Sequence, residues 1–205
     1  MEITEIYPEI RSFIDDLDLS NLTAARKKKL DKLSAYITTT IVTDTPIKLN
    51  FICTHNSRRS HLCQVWAKTM AAYYGIKVKS YSGGTEATTI YPTVIKTFQN
   101  TGFMIDKVSV GSNPTYKLNF TDENHPMTLF SKRYNDRYNP NEDYAAVMTC
   151  TDADTNCPVI PNATRVSLPY VDPKVSDGKS SELETYATRS RQIATEMKYI
   201  FLQVK

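Results

Sequence analysis

"NFICTHNSRRSH", residues 50–61, decides how the chain is read. An apolar run ends on Cys53, and a polar stretch containing Arg58 and Arg59 follows. A structural cysteine fits inside a strand. A thiol at the strand's end, facing a polar loop with two cations, is better placed for chemistry. "IKLNFIC" predicts a strand over 47–53 and "SHLCQVWAKTMAAYY" a helix over 60–74, closed by Gly75. A loop wrapped at a helix N-terminus turns successive backbone N–H groups inward, making a nest for a tetrahedral oxyanion. Arg59 adds a planar, bidentate fork. The same positive field favours the thiolate of Cys53, so one device holds nucleophile and substrate. Asn56 suits a left-handed backbone position within the loop, and the Ser60 hydroxyl is placed to hydrogen-bond the thiolate. The plainer reading, a buried cysteine beside two solvated arginines, leaves the polar loop without a reason.

Outward from this loop the pattern alternates. "KVKSYS" predicts a strand ending at Gly83 and Gly84, and "YPTVIKTFQNTG" a helix with Pro92 in its first turn and Gly102 as its stop. "YAAVMTC" reads as a buried strand ending on Cys150, "TRVSLPY" as the next strand, and the C-terminal region as a long helix opened by a Ser181/Glu184 capping box. Strands alternating with helices imply an α/β protein, a three-layer sandwich with a central parallel sheet and helices on both faces. Active sites in such sheets lie beyond the C-terminal ends of the strands. Cys53, Ser82, Cys150 and the segment after Tyr170 all fall there. Residues 1–46 read as an N-terminal helical extension and 47–205 as the main domain. Within it, 111–143 is polar, aromatic and punctuated by Pro114, Pro126 and Pro140, and is expected to be an irregular insertion.

Composition excludes several classes. The net charge of +3 over 205 residues carries no nucleic-acid footprint, and the Arg26–Lys29 cluster reads as a solvated helix face. No apolar run approaches the roughly 18 residues of a membrane span, and "MEITEIYPEI" is acidic rather than signal-like. A soluble, cytoplasmic protein with no membrane partner is expected. In a reducing compartment its cysteines, Cys53, Cys63, Cys150 and Cys157, are not permanent staples, so any pairing is transient or catalytic. Cys63 shares a helix face with Trp66 and Met70 and reads as core. Cys150 and Cys157 bracket "CTDADTNCP". If this stretch is helical, their Cα atoms lie about 10 Å apart, beyond the roughly 7 Å that a disulfide tolerates. Bridging them then requires the segment to loosen. Neither C-x2-C pairs nor paired histidines accompany them, so no metal is expected.

"CTHNSRRS" resembles the phosphate-binding loop of the low-molecular-weight protein tyrosine phosphatase family, in particular its thioredoxin-coupled arsenate reductases. The similarity continues through "WAK", "YSGGTEA" and "GFMID" and covers roughly 47–205 apart from the insertion. It implies Cys53 as nucleophile, Arg59 as oxyanion ligand, Asn56 and Ser60 as loop organisers, and the whole of Thr54, His55, Asn56, Ser57, Arg58, Arg59 and Ser60 as the oxyanion-binding loop. "CTDADTNCP" resembles the reductases' redox segment. By that resemblance Cys150 attacks the arsenate adduct on Cys53, Cys157 resolves the mixed disulfide, and thioredoxin reduces the Cys150–Cys157 bond. "YVDPKVSDG" resembles the segment that carries the family's general acid, here Asp172, with Asp177 the weaker candidate. The chain departs from the family at His55, usually glycine, and at Arg58, often cysteine. Gln64 stands where the reductases commonly carry a glutamate, which weakens the expectation of a potassium ion; no cofactor is expected. An arsenate reductase serving arsenic resistance is therefore the leading expectation. A phosphatase acting on phosphotyrosine or a small phosphoester is the alternative; the aromatic insertion, with Tyr116, Phe120, Phe130, Tyr134 and Tyr138, reads either as a frame for such a substrate or, the reading preferred, as a packing flap over the edge of the domain. A non-catalytic oxyanion-binding partner protein is the third reading, which His55 and Arg58 keep open.

Overall fold

The computed structural model describes residues 5–123, 125–156 and 159–204. Its centre is a four-stranded sheet in the order β2-β1-β6-β7, parallel throughout: β1 Ile47–Cys53, β2 Val78–Gly84, β6 Tyr144–Met148 and β7 Ala163–Ser167. Side chains alternate across it, as the two-residue strand period requires. Leu49, Phe51, Ala145 and Val147 face one side and join the large core. Ile52, Tyr144, Ala146 and Met148 face the other and join a smaller cluster with Cys53, Cys150 and Ala153. This is the expected three-layer α/β arrangement.

Helix α3, Arg59–Tyr73, runs back from the end of β1 and is buried around most of its surface. It lies between the sheet and the long C-terminal helix α6, Glu182–Leu202. Trp66 stacks on Phe13 and donates its indole N–H to Ser190 Oγ at 2.8 Å, so its one polar atom is satisfied inside the core. The N-terminal segment forms α1, Pro8–Asp15, and α2, Ala24–Val42. Its Ile6, Ile10, Ile14, Leu30, Leu33 and Ile37 are buried in the same core as the sheet. Helix α4, Pro92–Asn100, begins and stops where proline and glycine placed it, with Gly102 at φ +103°.

Three expectations need correction. The segment 111–143 is irregular only in part: β4, Tyr116–Asn119, and β5, Met127–Leu129, form an antiparallel sheet with β3, Met104–Lys107. Strands this short carry too few alternations to be read from sequence. The Ser181 side chain makes no cap bond; instead Glu182 accepts from Gly178 N at 2.6 Å and from Thr93 Oγ1. Arg26 is not part of a solvated face. Its guanidinium donates to both carboxylate oxygens of buried Glu196, at 2.8 and 2.6 Å, donates to Pro169 O at 3.2 Å, and lies over the Tyr170 ring.

Removing one member of such a pair strands the other charge. Arg26→Met is expected to cost about 3 kcal/mol in a urea denaturation series, with most of the loss recovered in Arg26→Met/Glu196→Met. A loss below about 1 kcal/mol would show that the pair does not tie α2 to α6.

Candidate active site

The loop between β1 and α3 owes its shape to its carbonyls. Cys53 O accepts from Thr85 N, Thr54 O from Glu86 N, and His55 O from the hydroxyls of Thr88 and Ser131. Asn56 O accepts from His61 Nε2, Ser57 O from Tyr91 N, and Arg58 O from Leu62 N. Six consecutive carbonyls, 53 to 58, are thus bonded away from the loop's interior. In a planar trans peptide the N–H points opposite to the C=O, so the amides of 54 to 59 turn toward the centre. Asn56 makes the turn at φ +44°, the left-handed region that asparagine tolerates.

Side chains fix the floor. Cys53 Sγ lies 3.1 Å from Ser60 Oγ, and Asn56 Nδ2 donates to that hydroxyl at 2.8 Å, orienting it toward the sulfur. Asn56 Oδ1 accepts from Lys132 N at 2.8 Å. Gly84 pairs with Cys53 across β1 and β2. A Cβ on Gly84 would stand 2.3 Å from Glu86 O and 2.6 Å from Thr54 O, so glycine is needed for the approach of backbone to loop.

The two arginines part company. Arg59 Nη1 donates to Tyr170 O at 3.2 Å and Nη2 to Asp172 Oδ2 at 2.6 Å, while its buried Nε has no partner in the protein among the described residues. That donor is free for an anion. Arg58 turns away, donating from Nε to Tyr186 OH at 2.6 Å and from Nη2 to Asp177 Oδ2 at 2.5 Å, with its guanidinium carbon 4.2 Å from the Tyr91 ring centroid. Only its backbone remains in the nest. His55 is exposed, with Glu86 3.8 Å away.

Cys150 lies just past β6, beside β1 in the sheet. Its Sγ is 3.5 Å from Thr54 Oγ1 and accepts from Ala153 N at 3.3 Å. Helix α5, Thr151–Asn156, follows it. Cys157 lies outside the described residues. Asp172 caps a 3-10 turn, Pro173–Ser176, accepting from Lys174 N at 3.1 Å. Asp177 ends that turn with both oxygens taken, by Arg58 and by Tyr186 OH. Cys63 is fully buried, and burial pushes its thiol well up, so it stays a neutral part of the core.

Sequence reasoning missed the loop's outer supports. Ser131 and Lys132 come from the strand-rich insertion and carry no local signal. Thr88 and Tyr91 follow the glycine pair and look like ordinary loop residues. His61 sits in the quoted stretch itself, but its role needs three dimensions. Its Nε2 donates to Asn56 O at 3.0 Å and its Nδ1 lies 3.3 Å from Ser82 Oγ. Burial, and then the charge of Lys132, lower its pKa to about 3, so the imidazole is neutral at pH 7. Burial likewise lowers the pKa of Lys132 to about 8.

A nest of inward amides with a thiol at its foot, at the end of the first strand of a 2-1-6-7 parallel sheet, is an arrangement suited to a tetrahedral oxyanion. No family profile matches the chain. By sequence it is 30% identical over 149 residues to Arsenate reductase 1 of Staphylococcus epidermidis, covering 68% of this chain and 94% of that one. It is 29% identical over 149 residues to Arsenate reductase 2 of Staphylococcus haemolyticus, covering 68% and 95%. Among solved structures, an arsenate reductase in its oxidised state superposes with a TM-score of 0.50 at 19% identity, covering 77% of this chain and 98% of that chain. The chain belongs to the low-molecular-weight protein tyrosine phosphatase family, on its arsenate reductase branch.

The buried His61 gives a pH prediction. Its folded pKa of about 3 lies below the unfolded value near 6.5, so between them only the unfolded chain binds its proton. Stability is complete above about pH 6.5 and should fall by roughly 1 kcal/mol per unit of acidification below it. Urea midpoints at pH 7 and pH 5 should separate in the parent and draw together in His61→Gln. Equal separation in both would assign the acid lability to other groups.

Proposed function

We propose that the protein reduces arsenate to arsenite, with Cys53 as nucleophile, Cys150 and Cys157 as the electron-donating pair, and a thioredoxin-type dithiol as the reductant. The observation that carries this reading is the position of two thiols at the C-terminal ends of adjacent parallel strands. Cys53 is at the foot of the oxyanion loop, and Cys150 contacts Thr54 of the same loop.

In the first step the Cys53 thiolate attacks the arsenic of bound arsenate, an As–S bond forms, and an arsenate oxygen leaves as water after protonation. The inward amides and Arg59 hold the remaining oxygens, and Asp172, released from Arg59 when the anion takes that guanidinium, supplies the proton. In the second step the Cys150 thiolate attacks Cys53 Sγ. The As–S bond breaks with its electron pair on arsenic, giving arsenite and a Cys53–Cys150 disulfide. The Cys157 thiolate then attacks Cys150, freeing Cys53 and leaving a Cys150–Cys157 disulfide. Two thiols have given two electrons, and an external dithiol restores them.

A second reading has its own support. Asp172 is held on the loop's arginine and is available to protonate an ester oxygen, so phosphomonoester hydrolysis through a phosphocysteine needs nothing further from the site. No helix among the described residues is long and apolar enough to cross a membrane.

Cys53→Ser is expected to abolish both activities. Retained turnover of either arsenate or p-nitrophenyl phosphate would mean another nucleophile. Cys150→Ser and Cys157→Ser should each abolish multiple-turnover arsenate reduction while phosphatase turnover stays within a few-fold of the parent. Oxidising the parent with arsenate in the absence of thioredoxin, then mapping disulfides by mass spectrometry, should yield a Cys150–Cys157 bridge. If both thiols stay free, the reductase reading fails and the phosphatase reading replaces it.

A further inference from the structure

Two adjacent residues of the loop hold two aspartates of one downstream segment: Arg59 binds Asp172 at 2.6 Å and Arg58 binds Asp177 at 2.5 Å. The first bond is open to exchange when an anion arrives, because the anion takes the free Nε of the same guanidinium and competes with Asp172 for the neighbouring Nη2. The second involves no group that faces the anion. Arg58 is instead built into an enclosed cluster. Its side chain is 12% exposed, its Nε donates to Tyr186 OH, and Tyr186 OH donates to Asp177 Oδ1 at 2.6 Å, closing a three-membered cycle. Tyr91 covers the guanidinium on one side and stacks on Tyr186, with centroids 5.6 Å apart and planes 23° from parallel. Tyr91 N in turn bonds Ser57 O, so the cluster is fastened to the loop it serves. Tyr186 is fully buried on α6, and burial followed by its bond to Asp177 raises its pKa far up, so it acts only as a neutral hydroxyl.

We propose that Arg58 is the positioning residue for the general acid: it tethers the 172–177 segment to the oxyanion loop through Asp177, so that Asp172 stays over the site after Arg59 has been taken by the anion. This rests on the reading of Cys53, Arg59 and Asp172 above. The segment needs such a tether. It is a single 3-10 turn that buries Pro173 and Ser176 but leaves Val171 before it and Val175 within it exposed, and among the described residues Asp172 makes only the Arg59 pair and the short-range bond to Lys174 N. Once Arg59 exchanges partners, the Asp172 carboxylate keeps, among the described residues, only its local bond to Lys174 N. The Asp177 end retains two charge-assisted bonds within a partly buried cluster, where they are stronger than in water. Arginine is suited to the task because one planar group serves a hydroxyl, a carboxylate and an aromatic face together.

The test uses Arg58→Met, which keeps the apolar stem over Tyr91, and Asp177→Asn, which weakens the same tether from the other side. Amide hydrogen exchange of 171–179 is followed with and without saturating inorganic phosphate. Phosphate should speed exchange at least about tenfold more in both variants than in the parent. Equal exchange in parent and variants with phosphate bound would overturn the tether, and this readout needs no turnover. Turnover of phenyl phosphate and p-nitrophenyl phosphate then asks whether the tether serves the acid. Arg58→Met should lose about tenfold more on phenyl phosphate, whose leaving group needs a proton, while competitive inhibition by phosphate stays within about twofold. Adding Asp172→Asn to Arg58→Met should cost little more on phenyl phosphate than Asp172→Asn alone. Multiplicative losses, or equal losses on both esters, would mean that Arg58 acts by shaping the loop and not through Asp172. Faster exchange in both variants, with Asp172→Asn alone harmless on phenyl phosphate, would instead overturn the assignment of the acid and leave the tether standing.

Discussion

The outward anchoring of six consecutive carbonyls, Cys53 to Arg58, is the constraint on which the rest of the site depends. A flexible loop around a charged ligand would point its dipoles wherever solvent allowed. Here each carbonyl has a fixed donor, so the amides are turned inward before any anion arrives, and no reorganisation is left for the moment of binding. Each bond contributes only about 1 kcal/mol net, yet together they leave the backbone one conformation. The left-handed turn at Asn56 is the point where that conformation reverses direction, and the same side chain carries the restraint down to Ser60 and Cys53.

The donors come from widely separated parts of the chain, which explains why the additions to the parallel sheet matter to the loop. Thr85, Glu86, Thr88 and Tyr91 follow β2, and Ser131 and Lys132 follow β5. The segment 131–139 then lies along the end of β2: Gly84 N donates to Lys132 O, Tyr134 N to Gly84 O, and Asn139 Nδ2 to Ser82 O. The underside of the loop holds His61 and Lys132 in burial, and the two cannot both carry charge cheaply there. The imidazole yields, which keeps its Nε2–H on the Asn56 carbonyl and its Nδ1 open to the Ser82 hydroxyl. Arg26 extends the same logic to the N-terminal segment, since it reaches Glu196 on α6 and the carbonyl of Pro169, three residues before Asp172.

Much of this was legible in the sequence where local rules decide it. Cys53 at a strand end, the glycine pair at the end of the second strand, Pro92 and Gly102 around α4, and the buried strand before Cys150 are set by patterns a few residues long. What stayed hidden depends on partners distant in sequence. Strands β3 to β5 are three or four residues each, too short for a period to register, and they are held by one another rather than by their own pattern. The Arg26 and Arg58 side chains read as solvated or as open alternatives because the acids that bind them lie 170 and 119 residues away. The capping box at Ser181 was plausible locally and lost to a better use of Glu182, which joins the turn after Asp177 to α4.

The reductase reading asks one piece of the fold to be stable and disposable at once. Cys150 directly precedes the six-residue helix α5, whose rise alone carries the chain about 9 Å, more than the roughly 7 Å that a disulfide tolerates. On the reductase reading the helix therefore unwinds when the Cys150 disulfide is exchanged. Its ties are suited to that. Ala153 N donates to the very sulfur that would be consumed, so that bond is lost through the chemistry itself. Asp154 holds the helix to β7 through Ser167 and through an ion pair with Arg165, whose Nη2 also donates to the carbonyls of Ala153 and Asp154; both charged side chains are about one-third exposed. An ion pair at that exposure contributes at most about 1 kcal/mol, and a helix of six residues has little stability of its own. The oxyanion loop, by contrast, shares none of these bonds except Thr54 Oγ1 to Cys150 Sγ. On that reading the segment after Cys150 can open while the loop around Cys53 keeps its shape, which is what a nucleophile that turns over repeatedly requires.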